Sequence, residues 1–195
     1  MIRPCRPLVA FALVLAAACA PLPPEPTYPE ITFRSAPPYL FDAAEVEVVE
    51  AYRSPLAAPH VEHESPLLPA AVLKRWIADR VAAGGTERRV RVTIEDASIT
   101  ETLLPINQDF AASFTTEQAA RLDASVALQI ELLDARGFQL AMVRAKSARA
   151  RSLPEDATLR ERDEVLFQLT EDLANDIDQI MSERIPDQFA AHLIR

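Results

Sequence analysis

The chain has 195 residues, with 20 Lys and Arg against 29 Asp and Glu for a net charge of −9. That balance argues against nucleic acid as a partner, because neutralising phosphates takes clustered bases. It has only three glycines and two cysteines, which leaves little material for phosphate-cradling loops, thiolate metal sites or a disulfide framework.

The first element in chain order is a three-part leader. Arg3 and Arg6 precede an apolar stretch from Leu8 to Ala17, and the small residues Ala16, Ala17 and Ala18 lead into Cys19. A run of about ten apolar residues is too short for a membrane span, which needs about 20. The segment resembles bacterial lipoprotein signal peptides. That resemblance implies cleavage before Cys19, a diacylglycerol on its thiol, and a lipidated cysteine as the new N-terminus. Two or three acyl chains would hold such a protein on the membrane essentially permanently. Removal of residues 1–18 takes away two bases and no acid, so the mature chain is more acidic still. It also removes Cys5, leaving no free thiol. In enterobacterial lipoproteins an aspartate directly after the cysteine favours the inner membrane. By resemblance, Ala20 in that position points to the periplasmic face of the outer membrane, with the inner membrane as the alternative.

Residues 19–39 read as the lipidated cysteine and a proline-rich tether. Pro21, Pro23, Pro24, Pro26, Pro29, Pro37 and Pro38 remove helical options and stiffen the chain. In polyproline II geometry such a leash reaches roughly 50 Å. Residues 40–195, about 155 in number, suit one domain.

Within the domain, Val46 and Val48 alternate with Glu45, Glu47 and Glu50, the period of a half-buried strand over 44–52. A connection with Pro55, Pro59 and Pro66 leads to Pro69, a suitable first helical residue. Val72, Leu73, Trp76, Ile77 and Val81 predict a helix to about Ala83, stopped by Gly84 and Gly85. Val90, Val92 and Ile94 predict a strand that continues, with a shift of face, through Ala97 and Ile99. Leu122, Ala124, Val126, Leu128, Ile130 and Leu132 predict the next. Phe138, Leu140 and Met142 repeat that apolar pattern after the turn Asp134–Gly137, so the two strands read as a hairpin. Thr158 and Glu161 form a capping box for a long final helix with the stripe Leu166, Leu169, Leu173, Ile177 and Ile180. Acids Glu164, Glu171, Asp172, Asp176 and Asp178 crowd its other side, and His192 reads as a surface residue of a fraying end.

Alternating strands leave one wet face, so both helices belong on the other. The expected fold is an α+β two-layer sandwich, order β-α-β-β-β-α, with about four mainly antiparallel strands and two helices packed on one face. Behind a lipobox and a proline-rich tether, this order resembles the ABC-type transport auxiliary lipoproteins that accompany MCE lipid transporters, and the LPS-assembly lipoprotein LptE. The resemblance rests on element order, so no site residue is carried over. It implies a non-enzymatic accessory part of an envelope complex moving lipid or LPS. A small carrier holding acyl chains between sheet and helices is the alternative.

No G-x-S-x-G, P-loop, G-x-G-x-x-G or H-E-x-x-H motif occurs. No catalytic residue, cofactor or metal ligand is therefore assigned, and the chain reads as no enzyme. His60, Glu62, His63 and Glu64 match no metal-ligand spacing and read as a solvated polar loop. Two candidate surfaces remain. Arg89 and Arg91 with Arg144, Lys146, Arg149 and Arg151 form a candidate anion or lipid patch, for which cross-strand ion pairs are the competing account. Phe110 and Phe114, in the connection from Leu103 to Thr116, either cap the open end of the core or form an exposed patch for a protein partner or an acyl chain. The partners expected are thus the membrane, through N-terminal acyl chains on Cys19, and a protein of an envelope complex.

Overall fold

A computed structural model describes residues 27–105 and 118–194. Its main sheet has four strands in the order β2-β4-β5-β6: β2 (Glu45–Glu50), β4 (Arg89–Leu103), β5 (Gln118–Leu133) and β6 (Gln139–Pro154). The pair β2/β4 is parallel and the other two are antiparallel. Helix α1 (Pro69–Arg80) makes the crossover that a parallel pair requires, and α2 (Leu159–Gln188) closes the chain over the same face. This is the α+β sandwich that the patterning predicts. A two-stranded parallel sheet is added beside it, β1 (Tyr39–Phe41) with β3 (Val81–Ala83).

The apolar periodicities fill the space between sheet and helices. The six even positions from Leu122 to Leu132 are buried, as are Val90, Val92 and Ile94. An irregularity between Ile94 and Asp96 then turns the odd positions Ala97 and Ile99 inward, which is the expected shift of face. Trp76 and Leu73 from α1 and Leu166, Leu169, Leu173 and Ile177 from α2 complete the core. The stripe runs on to Met181 and Ile185, whereas Ile180 is half-buried. The capping box at Thr158 is made from both sides, with Glu161 N–H donating to Thr158 Oγ1 and Thr158 N–H to Glu161 Oε2.

Four expectations are corrected. The strand after Asp134 turns its odd residues toward the helices, burying Val143 and Ala145, because the register pairs Leu132 with Ala141, Ile130 with Val143 and Leu128 with Ala145. Partners in an antiparallel ladder share a face, so Phe138, Leu140 and Met142 point out to solvent. Helix α1 stops at Arg80 rather than Ala83, since Val81–Ala83 pairs with β1. The C-terminus does not fray: Asp42 N–H donates to the His192 carbonyl at 2.9 Å and Ile194 N–H to the Leu40 carbonyl at 2.8 Å. These bonds leave His192 half-buried.

The fourth correction moves the start of the packed chain. Residues 28–38 do not stand off as a tether but lie along α1 and α2. Tyr28 stacks on Phe167 with ring centroids 4.9 Å apart, and Ile31 and Phe33 are buried. Asp79 of α1 accepts from Phe33 N–H at 3.0 Å and Arg34 Nε at 2.9 Å. Proline spacing carries the same signature whether an extended segment is free or packed, so composition alone did not separate the two.

Beneath this strap one guanidinium is interior. Arg80, 3% exposed, donates to Asp178 Oδ1 (3.1 Å), the Pro37 carbonyl (2.7 Å), Tyr39 Oη (3.2 Å) and Ser182 Oγ (3.2 Å). The same Asp178 oxygen accepts from Trp76 Nε1 at 2.8 Å. The corner after β3 is equally tight. A Cβ on Gly85 would stand 2.6 Å from the Ala43 amide nitrogen and 2.7 Å from the Asp42 carbonyl carbon. Gly85→Ala is therefore expected to cost about 1–3 kcal/mol, read as a shift in the denaturant midpoint, because backbone atoms must yield.

Candidate functional site

Of the residues singled out from sequence, Cys19, Phe110 and Phe114 lie outside the described residues. The basic set divides between two faces. Even positions on β6 share the open face with odd positions at the start of β4, which brings Arg144 and Lys146 to the side of the sheet that carries Arg89 and Arg91. Arg149 and Arg151 stand on the opposite face. Arg149 bonds Asp176 of α2 through two nitrogens at 2.9 and 2.6 Å, and Arg151 bonds Asp172 at 3.1 Å. The single patch read from the sequence is therefore two sets. The parity of Arg149 and Arg151, opposite to that of Arg144, was the signal that separates them.

On the open face the guanidiniums are already paired. Arg89 Nε meets Glu45 at 2.5 Å, Arg91 Nε meets Glu47 at 3.1 Å, and Arg144 Nε reaches Glu95 on β4, spanning β5, at 2.5 Å. The hydrogen bond that Arg89 donates to Glu45 holds its guanidinium above its ordinary pKa. At the hairpin end Arg88, Arg89, Arg91 and Arg136 line a cleft of about 400 Å³ together with Glu45 and Glu87. A phosphate entering it would have to displace carboxylates from these arginines. The cross-strand ion pairs of the competing account are thus present, with their carboxylates on β2 and β4.

The His60–Glu64 segment is not a solvated loop. Glu62, 3% exposed, accepts from Tyr52 Oη at 2.6 Å and from the Ile99 N–H at 3.2 Å. His60 Nδ1 lies 3.3 Å from the same Tyr52 hydroxyl. Glu64 is held by Arg162 of α2 at 2.6 Å, and Arg162 also meets Glu101 at 3.0 Å. Burial alone would push the Glu62 carboxyl up. Donors from Ser54, Tyr52 and the Glu62 and Ile99 amides outweigh it and hold it below the ordinary carboxylate value. Burial and the bond to Glu62 push the Tyr52 phenol well up. The cluster braces the long connection against β4 and forms the floor of a cleft of about 420 Å³ lined also by Leu56, Leu68 and Ala97. Among the described residues no group of three or more His, Cys, Asp or Glu is placed to hold a metal ion.

These depressed carboxylates set a direction for pH dependence. Glu62, Asp79 (through the Phe33 N–H first, then Arg34) and Asp176 (through Arg149 first) all have folded pKa values below their ordinary ones. Each contributes stability that is present above its ordinary value, 4.5 for Glu and 3.8 for Asp, and lost as pH falls through the folded value. Thermal melts are expected to be level near neutrality and to fall below about pH 4.5. For Glu62→Gln the acid slope is expected to be shallower.

The strap sets where the described chain enters the fold. Tyr28 stacks on Phe167, and the charges of Asp163, Glu164 and Arg160 reach its hydroxyl, so the packed chain emerges beside the first turns of α2. Eight residues separate Cys19 from Tyr28. Fully extended, they span about 30 Å, well short of the leash that the proline count suggested. Among the described residues no helix is long and apolar enough to cross a membrane.

The fold and its surfaces define the class: a two-layer α+β sandwich with paired charges on its open sheet face. No family model matches the chain, and no curated protein matches it. Solved structures with a similar fold include bacterial lipoproteins. One is a minor lipoprotein from Acinetobacter baumannii, 14% identical, with 77% of this chain and 93% of that one covered and a TM-score of 0.37. Another is a lipoprotein from Neisseria meningitidis, 10% identical, covering 70% and 99%, with a TM-score of 0.28. A Helicobacter pylori protein assigned as a homologue of a neuraminyllactose-binding hemagglutinin is 6% identical, covering 83% and 93%, with a TM-score of 0.41. The likeness is one of outline, and the functional reading rests on the chain's own residues.

Proposed function

We propose that this chain is a lipid-anchored protein of the bacterial envelope, non-enzymatic, that serves as an accessory part of a complex moving lipid or LPS, on the periplasmic face of the outer membrane. The observation that carries the reading is the leader ending in Leu15-Ala16-Ala17-Ala18-Cys19, with only eight residues between that cysteine and Tyr28, the first packed residue among those described. The domain is thereby kept beside a membrane surface, where an accessory subunit works. Contact with a protein partner is supported by Phe138, 64% exposed, with Leu140 and Met142 also exposed, at the start of the edge strand β6. An edge strand offers unpaired backbone groups beside that apolar set. The packed interior around Trp76, Leu128 and Leu166 favours this role over an acyl-chain carrier.

Photo-crosslinking from position 140 in intact cells tests the role. Trapping of a component of a lipid- or LPS-moving complex is the expected result. Failure to trap any reproducible protein, together with lipid co-purifying with the folded domain in native mass spectrometry, would replace the accessory reading with the carrier.

A further inference from the structure

We infer that the end of the domain carrying Leu103 and Leu159 rests on the lipid surface, making direct apolar contact with a zwitterionic membrane. The inference deepens the anchor reading and rests on it. Leu103 is 79% exposed and Leu159 is 82% exposed, the two largest apolar exposures among the described residues. They belong to different elements, the last residue of β4 and the first of α2. Arg162 holds those elements together by bonding Glu101, two residues before Leu103, from the first turn that Leu159 opens.

The place where the chain enters the fold says what covers them. Tyr28 stacks on Phe167, about two turns from Leu159 at the start of α2, and the strap runs from there toward Asp79 and Arg80. The chain leading back to Cys19 therefore leaves the described residues on the Leu159 side. With at most about 30 Å of chain between lipid and domain, the Leu103 and Leu159 end is the one drawn toward the bilayer. The hairpin turn at Arg136 lies at the other end of β5, whose 16 residues span about 50 Å. Two exposed leucines that no described element covers suit the interfacial region of a bilayer, where apolar side chains enter beneath the headgroups. Charge selects the kind of surface. Glu155, Asp156 and Glu164 are exposed around Leu159, and Arg160 is the exposed base among them. An anionic surface would repel this rim, whereas a zwitterionic one tolerates it.

The test uses full-length protein extracted from membranes and returned to phosphatidylcholine vesicles containing brominated acyl chains. Single cysteines are introduced as Leu103→Cys, Leu159→Cys and Arg136→Cys and labelled with a bimane fluorophore. Quenching at least twofold is expected at 103 and 159, with little at 136, and it weakens when half of the lipid is phosphatidylglycerol. Equal quenching at all three positions, or none at 103 and 159, overturns the inference while leaving the anchor standing. Labelling of protein that carries no added cysteine reports a free thiol at Cys19 or an uncleaved Cys5, and that result overturns the anchor and the inference together.

Discussion

Asp178→Ala is expected to destabilise the domain by about 3 kcal/mol, the lower end for breaking a buried ion pair, because the Asp178 side chain is itself 33% exposed. The loss arises from what remains. Arg80, 3% exposed beneath the strap, keeps its charge, and its other partners are a carbonyl, a phenol and a hydroxyl, none of which neutralises it. Trp76 Nε1 loses its acceptor in the same step. For a domain of this size such a loss lowers Tm by roughly 10 °C. The double variant Arg80→Met, Asp178→Leu is expected to recover most of it, since removing both charges removes the desolvation penalty along with the pair. A melting temperature within about 2 °C of the parent for Asp178→Ala would show that the pair carries no stability.

A chain beginning at Leu40, where patterning alone starts the domain, is expected to be less stable than one beginning at Tyr28 by about 3–6 kcal/mol. Two apolar side chains, Ile31 and Phe33, would be missing from the surface of the helices. Each contributes roughly 1.5–3 kcal/mol on burial. Asp79 would lose its bonds from the Phe33 amide and Arg34, and Arg80 its bond to the Pro37 carbonyl. Denaturant titration of the two soluble chains measures the difference. Equal midpoints would return residues 28–38 to the tether.

Sequence periodicity gave the sandwich because it reports which residues face a core, and it did so best where one element packs on one face. Strands β4 and β5 and both helices were legible for that reason, down to the shift of face before Ala97. It was weakest where a residue's environment depends on a partner far along the chain. Arg80 and Asp178 are 98 residues apart, and each reads locally as an ordinary surface charge of an amphipathic helix. Glu62 looks solvated among His60, His63 and prolines until Tyr52 and the Ile99 amide close over it. The faces of β6 were a different matter. At the turn Leu133 pairs with Gln139, odd with odd, and an irregularity between Leu132 and Leu133 then shifts the register so that even positions of β5 meet odd positions of β6. The outward placement of Phe138, Leu140 and Met142 depends on that extra residue, which hydrophobic alternation does not report. Similarly, the basic patch splits by parity into Arg144 and Lys146 on one side and Arg149 and Arg151 on the other.

The membrane anchor is the claim on which location, orientation and proposed role all depend, and it is read from Cys19 and the residues before it. Cells grown with radioactive palmitate, expressing either the parent chain or Cys19→Ser, test it directly. The parent is expected to be labelled and to sediment with membranes, whereas the serine variant is unlabelled and released. An unlabelled parent, or a serine variant that still sediments with membranes, would contradict the account.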